Sequence, residues 1–119
     1  MSRIYVALDI ETTGLDPERD AITEVAAVKF REDKVLDTWS SLVNPQRPIP
    51  YKIQRLTGIT PQDVQDAPGI VAVVPRLARF TSDYPIVGHN VGFETSCLRK
   101  YGLLLRNRLV DTFELARIL

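Results

Sequence analysis

The sequence predicts an α/β domain, in which a β-sheet is combined with helices. Three segments before residue 44 alternate apolar and polar residues with the period of a β-strand, and two later segments repeat apolar residues with a helical period. The chain has 119 residues, of which 45% are hydrophobic and 25% charged. These values are typical of one soluble globular domain, which we expect to span residues 1–119.

Three strands are predicted at the start of the chain. The first is "RIYVALDIE", and the loop "TTGLDPERD", rich in turn-forming residues, separates it from the second, "AITEVAAVKF". The turn "REDK" leads directly into the third, "VLDTWSSLV". Such a short connection predicts that the second and third strands run antiparallel.

The middle of the chain is predicted to be helical. Gly58, Pro61 and Pro68 divide the segment "YKIQRLTGITPQDVQDAP" into short helical turns. The next segment, "GIVAVVPRLARFTS", has the apolar period of a longer helix, in which Pro75 predicts a kink or a late start.

Short strands alternate with helices toward the C-terminus. "YPIVGHN" predicts a buried strand, and Asn90 is expected to cap a helix that ends at Gly102. "NRLVD" predicts a last strand, and Asp111 is expected to cap the helix "TFELARIL", with which the sequence ends.

Composition limits the classes of protein to which the chain can belong. No apolar run approaches the roughly 18 residues of a membrane span, and none resembles a signal-peptide core, which favours a cytoplasmic protein. Cys97 is the single cysteine, so an intrachain disulfide is excluded. Because no cluster of Cys and His suggests a zinc site, any metal must be held by oxygen.

The charges balance overall but are unevenly distributed. With 15 basic and 15 acidic residues, the total charge predicts no general attraction to nucleic acid. Residues 1–37 hold nine acids and five bases, whereas residues 38–119 hold six acids and ten bases. An acidic site with bases elsewhere would suit a polyanion, although ordinary solvated faces would give the same imbalance.

Two acids, Asp9 and Glu11, lie on one face of the first predicted strand, roughly 6.6 Å apart along the backbone. Left unpaired, they would repel each other and lose hydration. The following "TTG" offers hydroxyls and exposed amides at the carboxyl end of the strand, which is typical of a metal or phosphate site. The alternative is a pair of ordinary surface acids at a strand end.

A third acid, Glu94, lies in the first turns of the Asn90 helix. It shares a helix face with Cys97, Leu98 and Tyr101, so its carboxylate is predicted to point inward. The alternative is an acid that stabilises the positive N-terminus of the helix by about 0.3 to 1 kcal/mol. An inward carboxylate beside two others would need a cation.

Four motifs together resemble the DnaQ-like exonucleases of the DEDD superfamily: "DIETTG", "LTGIT", "GHNVGFE" and "VDTFELA". The resemblance covers nearly the whole chain and extends to the epsilon subunit of bacterial DNA polymerase III and to the exonuclease domain of DinG-type helicase-like proteins. It implies a ribonuclease-H-like fold, with a mixed sheet and flanking helices. It also implies hydrolysis of nucleotides from DNA, or RNA, 3′ ends by a two-metal-ion mechanism.

The resemblance also implies which residues do this work. Asp9, Glu11 and Glu94 match acids that bind two Mg²⁺ or Mn²⁺ ions, which activate water and steady the leaving 3′ oxygen. His89 matches a histidine of the second motif, and a structural role is favoured over that of a catalytic base. The residues matching the pocket for the terminal nucleotide are Thr12, Thr13, Gly14, Leu15, Leu56, Thr57, His89, Asn90 and Phe93. Loop and core packing is the alternative role for this set.

Two departures from the family pattern affect the expected activity. Glu94 stands where the family has Asp, and the sequence ends before a third motif that would supply a general base and a further metal ligand. We therefore expect a C-terminal part to be missing, activity to be impaired, and self-association through an exposed C-terminal face.

Two other functions compete with an exonuclease. The first is a noncatalytic module of a DNA replication or repair protein that binds a single-stranded DNA 3′ end or docks on a polymerase or a fused helicase-like region. The second is an unrelated structural domain with coincidental acids.

Overall fold

The computed structural model describes residues 3–104 and 106–112. In these residues five strands and four helices follow one another in the order β1 (Ile4–Thr12), β2 (Ile22–Arg31), β3 (Lys34–Leu42), α1 (Tyr51–Thr57), α2 (Pro61–Val64), α3 (Ile70–Thr81), β4 (Ile86–Gly88), α4 (Val91–Arg99) and β5 (Leu109–Asp111). The predicted α/β order of elements is confirmed. The helix predicted at the C-terminus falls largely on residues 113–119, outside the described residues.

The five strands form one mixed sheet in the order β3-β2-β1-β4-β5. β1 pairs antiparallel with β2, and β2 pairs antiparallel with β3, as the short turn between them predicted. β4 pairs parallel with β1, and β5 pairs parallel with β4. The carboxyl ends of β1, β4 and β5 therefore lie at the same edge of the sheet.

β1 has the two faces that its alternation predicted. Val6, Leu8 and Ile10 are buried in the main apolar core, whereas Asp9 is exposed and Glu11 is half-buried. The main core also includes apolar residues from the flanking helices, namely Val73, Leu77 and Phe80 of α3 and Val91, Cys97 and Leu98 of α4. This packing fixes both helices against the sheet, because interiors are close-packed and resist small displacements.

α3 begins at Ile70 and contains Pro75, so of the two alternatives predicted from Pro75, a kink or a late start, the late start is wrong. Pro75 lies on the exposed side of the helix, while Val73 and Leu77 on the other side are fully buried. A proline inside a helix costs about 3 kcal/mol, whereas burial of two such apolar side chains stabilises by about 3 to 6 kcal/mol. The packing of α3 on the sheet therefore outweighs the local preference.

The start of α4 differs from the sequence prediction. Asn90 is the N-cap residue, but it has left-handed backbone angles (φ 61°, ψ 49°), and its side chain makes no capping hydrogen bond. Instead, its backbone N–H donates to Asp111 Oδ1 at 2.9 Å. The carboxylate of Asp111 thus ties the end of β5 to the start of α4. α4 ends at Arg99, so the predicted end at Gly102 is wrong; Gly102, with φ 81°, lies in the turn that follows the helix.

Among the described residues, no helix has both the length and the apolar composition needed to cross a membrane.

Candidate active site

The acid pair of β1 faces a further acid on β2. Glu11 pairs in register with Glu24, and Asp9 pairs with Ala26. Partial burial raises the pKa of Glu11, and the nearby charges of Asp9 and Glu24 raise it further. Glu24 could not be predicted from the sequence, because the register between β1 and β2 depends on the irregular loop and on a register shift between Glu11 and Thr12.

α4 brings Glu94 to this pair from the other side. The side chain is 5% exposed, which confirms that it points inward. Burial raises the pKa of Glu94 to about 8, and the negative charge of Asp9 adds to the rise. A hydrogen bond from the Ile10 backbone lowers the pKa of Glu94, whereas the negative charges of Asp111 and Glu11 raise it further. Acids from β1, α4 and β5 therefore form one electrostatic cluster, consisting of Asp9, Glu11, Glu94 and Asp111.

The negative charge of the Glu94 carboxylate is poorly compensated by neighbouring groups inside the protein. Its Oε2 atom is buried and has no hydrogen-bond partner in the described structure. In the same part of the chain, no Lys or Arg forms an ion pair with Asp9, Glu11 or Glu94. A buried carboxylate without a cation is costly to ionise, so the protonated form is favoured in the protein without a metal ion.

The space for the Glu94 carboxylate depends on Gly88, the last residue of β4. A Cβ atom at position 88 would lie 2.6 Å from Glu94 Oε1 and 3.2 Å from a methyl group of Val91. The first distance is shorter than any normal contact between nonbonded atoms. Glycine at this position therefore lets the side chain of Glu94 reach across the end of β4.

The donor set fits a hard divalent cation. Carboxylate oxygens are the ligands that Mg²⁺ and Mn²⁺ prefer, and a cation would neutralise the unpartnered oxygen of Glu94. Within residues 3–104 and 106–112, no three acidic, His or Cys side chains are close enough to hold an ion as they stand. Asp9 is exposed and Glu11 is half-buried, so these two carboxylates are accessible from solvent.

The loop after β1 is held rigidly by its own polar groups. The Thr13 hydroxyl donates to Asp20 Oδ1 at 3.1 Å and accepts from the Ala21 N–H at 3.0 Å. The Thr12 hydroxyl donates to the Gly14 carbonyl. A Cβ atom at Gly14 would lie 2.4 Å from Asp20 Oδ2, so a larger residue at this position would displace the Asp20 carboxylate from its hydrogen bonds with the loop. These bonds fix the loop beside the acids of β1.

Two predicted pocket residues are exposed apolar side chains. Leu15 is 87% exposed and Leu56 is 79% exposed. Core packing, the alternative role of Leu56, is therefore wrong, because α1 turns this side chain away from the small apolar cluster formed by Ile49, Ile59 and Val64. The neighbouring Thr57 hydroxyl donates to the Ile53 carbonyl at 2.9 Å and accepts from the Ile59 N–H at 3.2 Å.

The remaining predicted residues lie around the start of α4. His89 Nδ1 is 3.1 Å from the Thr112 hydroxyl, and the side chains of His89 and Asn90 are exposed. Phe93 is half-buried and packs against the main core. The structure thus places His89 and Asn90 beside the acid cluster, through the bond from Asn90 to Asp111.

Comparison with protein-family models gives a match over residues 6–118 to RNase_T, described as exonuclease. The chain belongs to this exonuclease family. The relatives include the PolC-type DNA polymerase III of Caldanaerobacter subterraneus, 43% identical over 117 residues, and that of Bacillus subtilis, 40% identical over 121 residues. These alignments cover 95% and 97% of the chain. The domain is thus a DnaQ-like 3′-to-5′ exonuclease domain, as its motifs predicted.

Solved structures confirm the predicted ribonuclease-H-like exonuclease fold. Exonuclease X in complex with 5′ overhanging duplex DNA superposes with a TM-score of 0.79 at 31% identity and covers 96% of this chain. Product-bound exonuclease I superposes with a TM-score of 0.84 over 98% of the chain, and its 21% identity supports the fold alone. The chain spans 8% of the length of the two polymerases and 63% of the exonuclease X chain.

Proposed function

We propose that this chain hydrolyses nucleotides from the 3′ end of DNA and that Asp9, Glu11 and Glu94 hold the required divalent ions. The observation that carries the proposal is the buried Glu94 carboxylate, whose Oε2 atom has no hydrogen-bond partner in the described structure and whose pKa is raised by Asp9 on β1 and by Asp111 on β5. Membership of the exonuclease family supports the reaction class. DNA is favoured as substrate because one solved relative, exonuclease X, was determined with 5′ overhanging duplex DNA.

The three acids would have different roles in binding the metal ions. Asp9 and Glu11 are accessible, so they can take part in binding an ion from solvent. Glu94 would release its proton when a cation arrives, because the cation removes the cause of its raised pKa. Bound Mg²⁺ or Mn²⁺ would supply an activated water and stabilise negative charge at the phosphate.

The pocket for the terminal nucleotide is proposed to lie around the loop after β1. Leu15 and Leu56 offer exposed apolar surface against which a base can pack, and Phe93 offers an aromatic edge. The bonds of Thr12 and Thr13 keep the loop in place, which favours a preorganised pocket. The proposed setting of the domain is DNA synthesis, because the PolC-type relatives are DNA polymerases.

Calorimetric titration with Mn²⁺ tests the metal site directly. The chain should bind Mn²⁺, and Asp9→Asn should abolish the binding, because the change removes one negative charge and one ligand oxygen. Asp33→Asn is the matched control, since Asp33 is an exposed acid in the turn between β2 and β3. Equal Mn²⁺ binding by the wild type and by Asp9→Asn would refute the assignment.

A labelled oligonucleotide distinguishes an enzyme from a binding module. A 5′-labelled single strand incubated with Mn²⁺ should shorten stepwise from its 3′ end, and Asp9→Asn should stop the shortening. The noncatalytic module is the second candidate, favoured by the greater length of Glu94 compared with the Asp of the family pattern. It predicts that DNA binds with no shortening at all. The impaired activity expected for the 119-residue chain stays a prediction that the same assay measures.

A further inference from the structure

Four arginines surround one groove at the end of the sheet opposite the acid cluster. Arg3, Arg31, Arg106 and Arg108 line a cavity of about 500 Å³, together with Asp83. Arg3 precedes β1, Arg31 pairs in register with Ile4 at the start of β1, and Arg108 precedes β5. The groove therefore lies at the amino ends of β1 and β5, whereas the acids lie toward their carboxyl ends.

The positive charge of this groove is largely uncompensated. All four arginine side chains are exposed, and none of them forms an ion pair or a side-chain hydrogen bond in the part of the chain that the structure describes. Asp83 is the single acid among the lining residues. Lys29 adds a further cation nearby, because its ammonium lies 5.2 Å from the ring centre of Tyr84, which also lines the groove. Like charges held around one groove favour an anionic ligand.

The chemistry of the groove suits phosphate groups. The guanidinium group of arginine forms paired hydrogen bonds with phosphate oxygens and stays charged at every physiological pH. The chain as a whole has no net charge, and the acid cluster repels phosphates. Attraction of a polyanion must therefore come from a local cationic surface, and these arginines form one.

We propose that the arginine groove (Arg3, Arg31, Arg106 and Arg108) binds backbone phosphates of a nucleic-acid strand whose 3′ end lies at the acid cluster. The position of the 3′ end rests on the proposed function; the binding of phosphates does not. Six residues of β-strand separate Arg3 from Asp9, or about 20 Å. A stacked strand needs roughly six nucleotides to span that distance, at about 3.4 Å per nucleotide.

Anisotropy titrations with a fluorescein-labelled 20-nucleotide oligothymidylate, in EDTA, test the groove without the metal site. Arg31→Gln combined with Arg108→Gln should weaken binding by about tenfold or more at low salt. It should also reduce the slope of log affinity against log salt by about 1.4, or about 0.7 for each lost phosphate contact.

The matched control is Arg76→Gln combined with Arg99→Gln, which removes the same charge from exposed positions on α3 and α4 outside the groove. This pair should leave affinity and salt slope nearly unchanged. Arg31→Lys combined with Arg108→Lys keeps both positive charges and should bind more tightly than the glutamine pair. A circular-dichroism spectrum of the glutamine variant that matches the wild type excludes loss of folding as the cause of its weaker binding. Equal effects of the groove and control pairs would overturn the proposal, as would an unchanged affinity.

Two further arms identify the ligand and separate this proposal from the proposed function. Tighter binding of a 20-residue oligoglutamate than of the oligothymidylate would overturn the assignment to nucleic acid. If the chain does not bind Mn²⁺ but the groove variant loses affinity for DNA, the metal site is refuted and the proposed phosphate-binding groove is supported. If the chain binds Mn²⁺ but the groove variant keeps its affinity for DNA, the groove is refuted and the metal site is supported.

Discussion

Replacing Glu94 with glutamine is expected to stabilise the metal-free protein at pH 8 and to change its stability little at pH 5. The pKa of Glu94 is about 8 in the folded protein and 4.5 in an unperturbed chain. Between these values the unfolded chain has released a proton that the folded chain retains, so stability falls as pH rises. The fall is about 1.4 kcal/mol per pH unit, which makes it about 3 to 4 kcal/mol between pH 5 and pH 8.

Glutamine removes this dependence because it has nearly the same shape and stays neutral throughout. The difference in unfolding free energy between the variant and the wild type should therefore grow with pH, from less than about 1 kcal/mol at pH 5 to several at pH 8. Such a difference is a large part of the about 5 to 15 kcal/mol that stabilises a typical domain.

Urea unfolding followed by circular dichroism, in EDTA at unit steps of pH from 5 to 8, measures the difference. Glu18→Gln is the matched control, since Glu18 is an exposed acid in the loop after β1, and it should show no such trend. Saturating Mn²⁺ should restore stability to the wild type and much less to Glu94→Gln, because an ion stabilises only the fold that binds it. A difference between variant and wild type that stays constant or shrinks with rising pH would refute the reasoning.

Two further changes test neighbouring features. Gly88→Ala should weaken Mn²⁺ binding in calorimetry, because its methyl group would lie 2.6 Å from Glu94 Oε1. Adding Glu94→Asp, which shortens the side chain, should recover part of the affinity; no recovery would show that Gly88 matters for another reason. Thr60→Ala should lower the unfolding free energy by about 1 kcal/mol in urea, because it removes the capping box with Asp63 at the start of α2. An unchanged midpoint would contradict the role of that cap.

The features that the sequence predicted correctly are those encoded by local periodicity. The alternation along β1 placed Asp9 on the face opposite Leu8, and the helical spacing turned Glu94 inward. Each depends only on the geometry of one element, in which side chains repeat every two residues or every 3.6. Once such an element exists, the direction of its side chains follows from the sequence.

The features that the sequence missed depend on contacts between distant segments. Glu24 faces Glu11 only because of the register of β2, and Asp111 reaches the amide of Asn90 across 21 positions of sequence. The capping role expected for the Asn90 side chain was also wrong, since Asn90 has left-handed backbone angles and its side chain makes no capping hydrogen bond. No local pattern encodes these partners, because they meet only when the sheet has assembled.

The pairing of Gly88 with Glu94 shows how the longer acid can be compatible with a metal site. A glutamate in place of aspartate carries its carboxylate one methylene further, and here the extra length is accommodated over a residue without a side chain. The buried Oε2 atom then has no partner within the described structure, and the charge of Asp9 adds to the penalty for ionising it. A divalent cation that binds the carboxylate would both give Oε2 a partner and reduce the cost of ionising Glu94. The destabilisation of metal-free protein at high pH and the affinity for the ion should therefore have the same origin, and a change at Gly88 that moves the carboxylate should alter both together.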